Sequence, residues 1–343
     1  MFKFSSLIRA LGLSTAKKSF LKLAALIIAS ASLILLLIHP SPGQVNLPQR
    51  DNVLSQIPAT PQVTPPILLT PPAPPIIPPR QRGDALDIQV NPPNPQLGDT
   101  IAVTIGTFAN PTVSLEGKIY PAFPRGNNIW VALLPTTPLD TPGTKSLLIS
   151  AESEVRQISL PLADRSFPTQ RIWLPGGDDN EPTDDYEFDR VAEFKALVTP
   201  EKYWQGTLLR PTSGGLTTGY GVRRYYNGVF AEDYFHRGLD YGADTGEPVI
   251  APAAGRISLV GRANQRFNVH GNTVGIDHGQ GLSSIMLHLS RIEVQEGDFV
   301  EAGQVVGRVG ATGAVTGPHL HWGLYVHGLS IDPVPWREGK FAQ

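Results

Sequence analysis

Two short stretches, His236-Arg-Gly-Leu-Asp240 and His319-Leu-His321, organise this chain. In a strand, residues two apart point to one face, with about 6.5–7 Å between their Cα atoms. His319 and His321 are therefore expected to face one cavity. His236 and Asp240 flank a glycine, which is expected to let the backbone curl so that both side chains reach one point. Three protein ligands drawn from His and Asp, with one position left open, are the pattern of a catalytic zinc site.

Around these motifs, seven of the eight histidines fall between His236 and His327. On the strand expected around His288, alternation would put Ser284, Met286 and His288 on one face and Ile285, Leu287 and Leu289 on the other. His288 would thus project opposite an apolar face, a position suited to a catalytic base.

The segment from 209 to 337 is rich in glycine and β-branched residues, with hairpin signals at Asn227-Gly228, Gln280-Gly281 and His327-Gly328. Strands are expected at Val249–Ala251, Arg256–Val260, Thr273–Asp277, Ser283–Leu289, Gln304–Val309 and His319–Val326. This reads as an antiparallel β domain with almost no helix.

Working toward the N-terminus, residues 166–208 form a connector with an acidic cluster and one helix, from Asp184 to about Val198. Acids at its start suit the helix dipole. Phe188, Val191, Phe194 and Val198 make an apolar stripe for packing. Residues 83–165 alternate short strands with turns at Asn94-Pro95, Gly126-Asn127 and Pro142-Gly143. Their spacing predicts an immunoglobulin-like β-sandwich, either a wall-binding or positioning module or a spacer. Residues 41–82 are proline-rich, with pairs such as Pro65-Pro66 and Pro78-Pro79, and favour an extended polyproline linker.

Residues 1–40 carry Lys3, Arg9, Lys17, Lys18 and Lys22 ahead of an apolar run from Leu23 to Ile38. This reads as a signal anchor or signal peptide. No Ala-x-Ala site follows, which favours an uncleaved anchor. The positive flank then places the rest of the chain on the periplasmic side of an inner membrane, or outside the cell if the segment is cleaved.

The 343-residue chain has a net charge of −2 and no cysteine. Outside the N-terminus it lacks a basic stripe, so no nucleic-acid partner is expected. Disulfides, thiolate metal sites and cysteine nucleophiles are excluded.

The C-terminal region resembles the lysostaphin/LytM-type zinc metallopeptidases, which cut peptide bonds in peptidoglycan. The resemblance rests on Gly219-Tyr-Gly-Val-Arg223, His236-Arg-Gly-Leu-Asp240-Tyr-Gly, Ala251-Pro-Ala-Ala-Gly255, Gly271-Asn-Thr-Val, Ile276-Asp-His-Gly279, His288-Leu-Ser290 and Thr312-Gly through Thr316-Gly-Pro-His-Leu-His321. It implies a mostly β peptidase domain of the duplicated-hybrid type and a Zn2+ cofactor. His236, Asp240 and His321 match the metal ligands; His288 and His319 match the two histidines that act on the water and the developing oxyanion. Met286 stands where the family often has a tyrosine. Tyr241, Trp322 and Asn272 either line the groove or pack. His270, His278 and His327 match no role and are expected to be structural or solvated.

Two rival functions fit the chain less well. A catalytically inactive domain that activates other wall hydrolases usually lacks a ligand, and none is missing here. A lipoyl-type carrier needs a lysine, and none lies between Lys202 and Lys340; a phosphohistidine carrier would have to be cytoplasmic, against the N-terminal segment. The partners this implies are peptidoglycan peptides and, through the N-terminal helix, the inner membrane, with room for a regulatory protein.

Overall fold

The computed structural model describes residues 86–172 and 185–341. The apolar N-terminal segment, the proline-rich linker and the acidic part of the connector lie outside the described residues. Among the described residues no helix is long and apolar enough to cross a membrane.

The first eight strands are β1 (Asp87–Asn91), β2 (Thr100–Gly106), β3 (Thr112–Leu115), β4 (Lys118–Tyr120), β5 (Ala122–Gly126), β6 (Ile129–Pro135), β7 (Gly143–Ala151) and β8 (Glu154–Leu162). They form two four-stranded antiparallel sheets, ordered β1-β2-β6-β5 and β4-β3-β7-β8. Ile101, Val103, Leu134, Leu147 and Ile149 fill the space between them. The six strands that alternation predicts here, Leu86–Val90, Thr100–Phe108, Thr112–Leu115, Ile129–Leu134, Ser146–Ala151 and Val155–Leu160, are present with small shifts at their ends, and β4 and β5 are additional. Asn127 and Asn128, both at positive φ, turn β5 into β6, as an Asn-rich hairpin requires.

The outer face of the first sheet is also covered. Leu133, with Ala102 and Val131 against it, joins the core of the C-terminal domain beside Trp204, Leu208 and Trp336. Trp336 Nε1 donates to Thr100 Oγ1 at 3.0 Å, and Arg165 pairs with Asp332 at 2.8 Å. A strand buried on both faces reads as a continuous apolar run, which explains Trp130-Val-Ala-Leu-Leu134.

The C-terminal part contains β9 (Thr169–Ile172), α1 (Tyr186–Lys195), β10 (Gly215–Thr218), β11 (Arg223–Tyr226), β12 (Val229–Phe230), β13 (Leu239–Gly242), β14 (Pro248–Ile250), β15 (Gly255–Gly261), β16 (Asn272–Gly279), β17 (Leu282–Leu289), β18 (Arg291–Ile292), β19 (Phe299–Val300), β20 (Val305–Arg308), β21 (His319–Val326), β22 (Leu329–Ile331) and α2 (Pro333–Arg337). Its central sheet runs β10-β13-β21-β17-β16-β15-β19, with β22 paired to the end of β21. The expectation of purely antiparallel pairing is corrected at one place. β9, in the presumed connector, adds to β11 in parallel.

The register assigns each strand residue of the sheet to a face. Leu239 opposes Trp322, and Met286 opposes Trp322 from the other side; all three lie in the main core. Asp240 and Leu287 both oppose His321, so these share the opposite face. One end of that second face is closed by α1, whose Val191 and Phe194 pack on Ile285, Leu287 and Tyr325. The expected stripe is only partly right: Val198 lies beyond the helix and is 44% exposed. Glu187 replaces it as a buried member of α1, accepting the backbone N–H of Val269 at 3.0 Å.

Beneath the sheet, His278 is fully buried. Its Nδ1 meets the Ala254 carbonyl at 2.9 Å and its Nε2 meets Ser284 Oγ at 2.8 Å, while Trp322 Nε1 donates to the same Oγ at 3.1 Å. Burial pushes the His278 imidazole down to about 4, against a smaller upward effect of the Ala254 contact. Between about pH 6.5 and 4 the unfolded chain therefore binds a proton that the folded chain does not. The stability held by neutral His278 is complete above pH 6.5 and falls with pH at about 1.4 kcal/mol per unit down to pH 4. In chelator, the urea midpoint of the wild type is expected to drop more between pH 7 and pH 5 than that of His278→Gln. Equal drops would contradict the assignment.

Candidate metal centre and groove

The open part of the second face is a groove of about 910 Å3. His236, Asp240, His288, His319 and His321 all line it. The sandwich contributes no lining residue; β9, α1 and β11 do.

Asp240 on β13 and His321 on β21 are directly opposed in register. His236 precedes β13 and is 3% exposed. Three donor atoms converge there. His236 Nε2 and His321 Nδ1 lie 3.0 and 2.8 Å from Asp240 Oδ1, and 3.1 Å from each other. Gly238 serves this convergence differently from the expected curl. Its φ is not left-handed, but a Cβ there would stand 2.4 Å from the Trp322 carbonyl and 2.8 Å from His321 Nε2. The glycine permits close approach of β21, which brings His321 to the cluster.

The donor set fits a metal cation. His236 Nδ1 lies 2.7 Å from the Gly219 carbonyl, so it carries the proton and donates. In the neutral ring Nε2 is then an acceptor, facing a carboxylate oxygen at 3.0 Å. Two acceptors at that distance need a positive charge between them. Ligand atoms about 2.0–2.1 Å from a tetrahedral zinc lie ~3.3 Å apart, close to the observed triangle. The Gly219 contact is also the outer support that metal-binding imidazoles usually have. Burial opposes ionisation of Asp240, yet positive charge on the two imidazoles against it holds its carboxyl well below the usual range. Burial lowers His321 to about 4, against the pull of Asp240.

His288 reaches the groove by a route that simple alternation does not give. Met286 pairs with Val274 and Leu289 with Asn272, so β17 has one residue more than β16 between these pairs. That is a β-bulge, which re-aims side chains. His288 adopts φ +66° within it, a conformation uncommon for residues other than glycine. The expected faces are corrected accordingly. Leu289 joins Met286 in the core, and the His288 ring turns to within 4.9 Å of His319 and 6.4 Å of His321, centroid to centroid. Its Nδ1 lies 3.0 Å from the Thr312 carbonyl, and His319 Nδ1 lies 2.9 Å from that of Gly317. Burial, then the charges of His319 and His321, hold His288 well below the ordinary histidine range, so it is neutral at pH 7.

Tyr241 and Trp322 are core residues, 1% and 0% exposed, and do not line the groove. Asn272 braces the loops by donating to the Leu289 carbonyl and accepting from Ala263 N–H. Met286 is in the core, so the side chain at that position does not touch the metal cluster's face. His270 and His327 line the groove, which sequence reasoning did not anticipate. It also missed Arg224 and Tyr234; only their nearness to the His236 motif hinted at them.

These features define a mostly β protein with a His/Asp metal-type cluster at the floor of a groove. Residues 234–333 match the family model of Peptidase family M23. Over 98 residues, 29% of this chain and 22% of the relative, the sequence is 41% identical to Peptidoglycan DD-endopeptidase ShyC of Vibrio cholerae. Over 123 residues, 34% of this chain and 24% of the relative, it is 36% identical to Lysostaphin of Staphylococcus simulans. The chain thus spans about a fifth to a quarter of the length of these curated relatives. A crystal structure from Pseudomonas aeruginosa, assigned to peptidase M23, superposes with a TM-score of 0.54 at 28% identity, covering 73% of this chain and 96% of that one.

Proposed function

We propose that this protein is a zinc-dependent endopeptidase that hydrolyses peptide bonds in peptidoglycan. The observation that carries it is the triangle of His236 Nε2, Asp240 Oδ1 and His321 Nδ1, with two more imidazoles beside it in one groove. The named activity of ShyC supports the wall peptide as substrate. His236, Asp240 and His321 would hold the ion, which when bound would supply Lewis acidity to a carbonyl and acidify a water. His288 and His319 are the catalytic residues. Neutral His288, its Nδ1 proton committed to Thr312, presents Nε2 as the acceptor for a proton and returns that proton to the leaving amine. His319 Nδ1 is committed to Gly317, so only its imidazolium can donate from Nε2 to the developing oxyanion. The inactive, activating domain is the second reading. Clearing of purified peptidoglycan by the chain alone, with no other hydrolase present, supports the enzyme; activity appearing only with a partner hydrolase supports the activator.

The sandwich strand order, with the first, second, sixth and fifth strands in one sheet, supports the immunoglobulin-like assignment. Its docking through Leu133 and Trp336 favours a positioning module over a loose spacer. The basic and apolar start of the chain supports an anchor in the inner membrane with the peptidase on the periplasmic side. Protease added to intact spheroplasts is expected to digest the bulk of the chain; full protection would show the opposite orientation.

A further inference from the structure

The groove that holds the metal cluster is unevenly charged. Asp240 is the only carboxylate among its described lining residues, and it belongs to the cluster. Lys195, Arg224 and Arg237 line the same groove, and no ion pair engages any of the three among the described residues. Lys195 rests over the Tyr325 ring at 4.3 Å, and Arg237 lies over Phe235 at 5.3 Å.

Arg224 is the most firmly held. It stands on β11, paired with Gln170 of β9. Nε donates to Gln170 Oε1 at 3.0 Å, and Nη1 donates to Tyr234 Oη at 2.9 Å. Tyr234 is two residues before His236. Among the described residues, Nη2 makes no hydrogen bond. A guanidinium fixed on two sides, with an uncommitted amino group beside a groove, is built to receive an anion. Nη2 is left to donate a charge-assisted hydrogen bond, and a carboxylate is the anionic acceptor a wall peptide offers.

We infer that Arg224 binds a free carboxylate of the substrate, so that the groove selects branched, carboxylate-bearing wall peptides over uncharged ones such as glycine chains. This rests on the peptidase reading and specifies its substrate. Lys195 and Arg237 reinforce the selection through the field of the groove, and Arg224 supplies the directed contact.

The test is a binding measurement on the full chain in chelator, where nothing is cut. The probes are dimeric muropeptides with free carboxylates and the same dimers after chemical amidation of those carboxylates. The free-carboxylate dimer is expected to bind roughly tenfold or more tightly, as one charge-assisted contact implies. That margin should shrink as salt rises. Arg224→Gln is expected to remove most of the margin, and Arg224→Lys, which keeps the charge but not the anchoring to Gln170 and Tyr234, to retain part of it. Equal binding of the two dimers by the wild type overturns the inference, and that comparison needs no variant. So does an undiminished margin in a folded Arg224→Gln protein. Cleavage by the zinc-loaded chain is scored separately: failure to cut either dimer overturns the peptidase reading, whatever the carboxylate margin.

Discussion

Asp240→Ala is expected to abolish hydrolysis and to strip the protein of zinc. Asp240 contributes the only anionic donor of the cluster, and its Oδ1 is the atom on which both imidazoles converge, at 3.0 and 2.8 Å. Loss of an outer partner of a metal ligand typically costs roughly 10–100-fold in affinity, and loss of a ligand itself should exceed that. The metal-free fold should tolerate the change well, because the carboxylate faces an imidazole acceptor when no cation lies between them. Two readouts follow. Zinc should raise the melting temperature of the wild type, since it binds the folded chain, and leave that of Asp240→Ala unmoved. Metal analysis after dialysis should find the variant near zero. Full occupancy in Asp240→Ala would remove Asp240 from the ligand set.

His288→Ala is expected to separate chemistry from metal binding. His288 lies 6.4 Å from His321, ring centre to ring centre, and no donor atom of it joins the triangle. The variant should keep its zinc and lose roughly 10²–10⁴-fold in kcat, the usual contribution of a positioned acid–base group, with a smaller change in KM. His319→Ala should behave in the same way. The two histidines of His319-Leu-His321 share a strand face, so a different division is open to experiment. If His319→Ala loses zinc as completely as Asp240→Ala, His319 is a ligand.

Much of this was legible in the chain before any coordinates. The period-two spacing of His319 and His321 placed both on the groove face, because β21 is a regular strand there. Alternation in the sandwich located six of its strands. The misses have physical causes. His288 was assigned a face by counting from Ser284, and counting fails across a bulge, which depends on pairing with β16 and not on β17 alone. Gly238 was credited with a turn because glycine permits one; its actual role is visible only once β21 lies against it. Glu187 was not singled out, because an acid in the first turn of a helix needs no partner beyond the dipole; tertiary packing made it the buried acceptor for the loop at Val269. β4, β5 and β9 were passed over because they are short and carry few apolar residues; β4 and β5 pair with their chain neighbours β3 and β6, whereas β9 owes its place to β11, distant in sequence.

The most direct measurement is mass spectrometry of muropeptides released from purified peptidoglycan by the purified chain, with its zinc, after chelation, and after zinc is restored. New peptide amino termini are expected with zinc, none after chelation, and their return on restoration. Intact peptides in the presence of bound zinc would contradict a peptidase and leave the inactive, activating domain as the function of this fold.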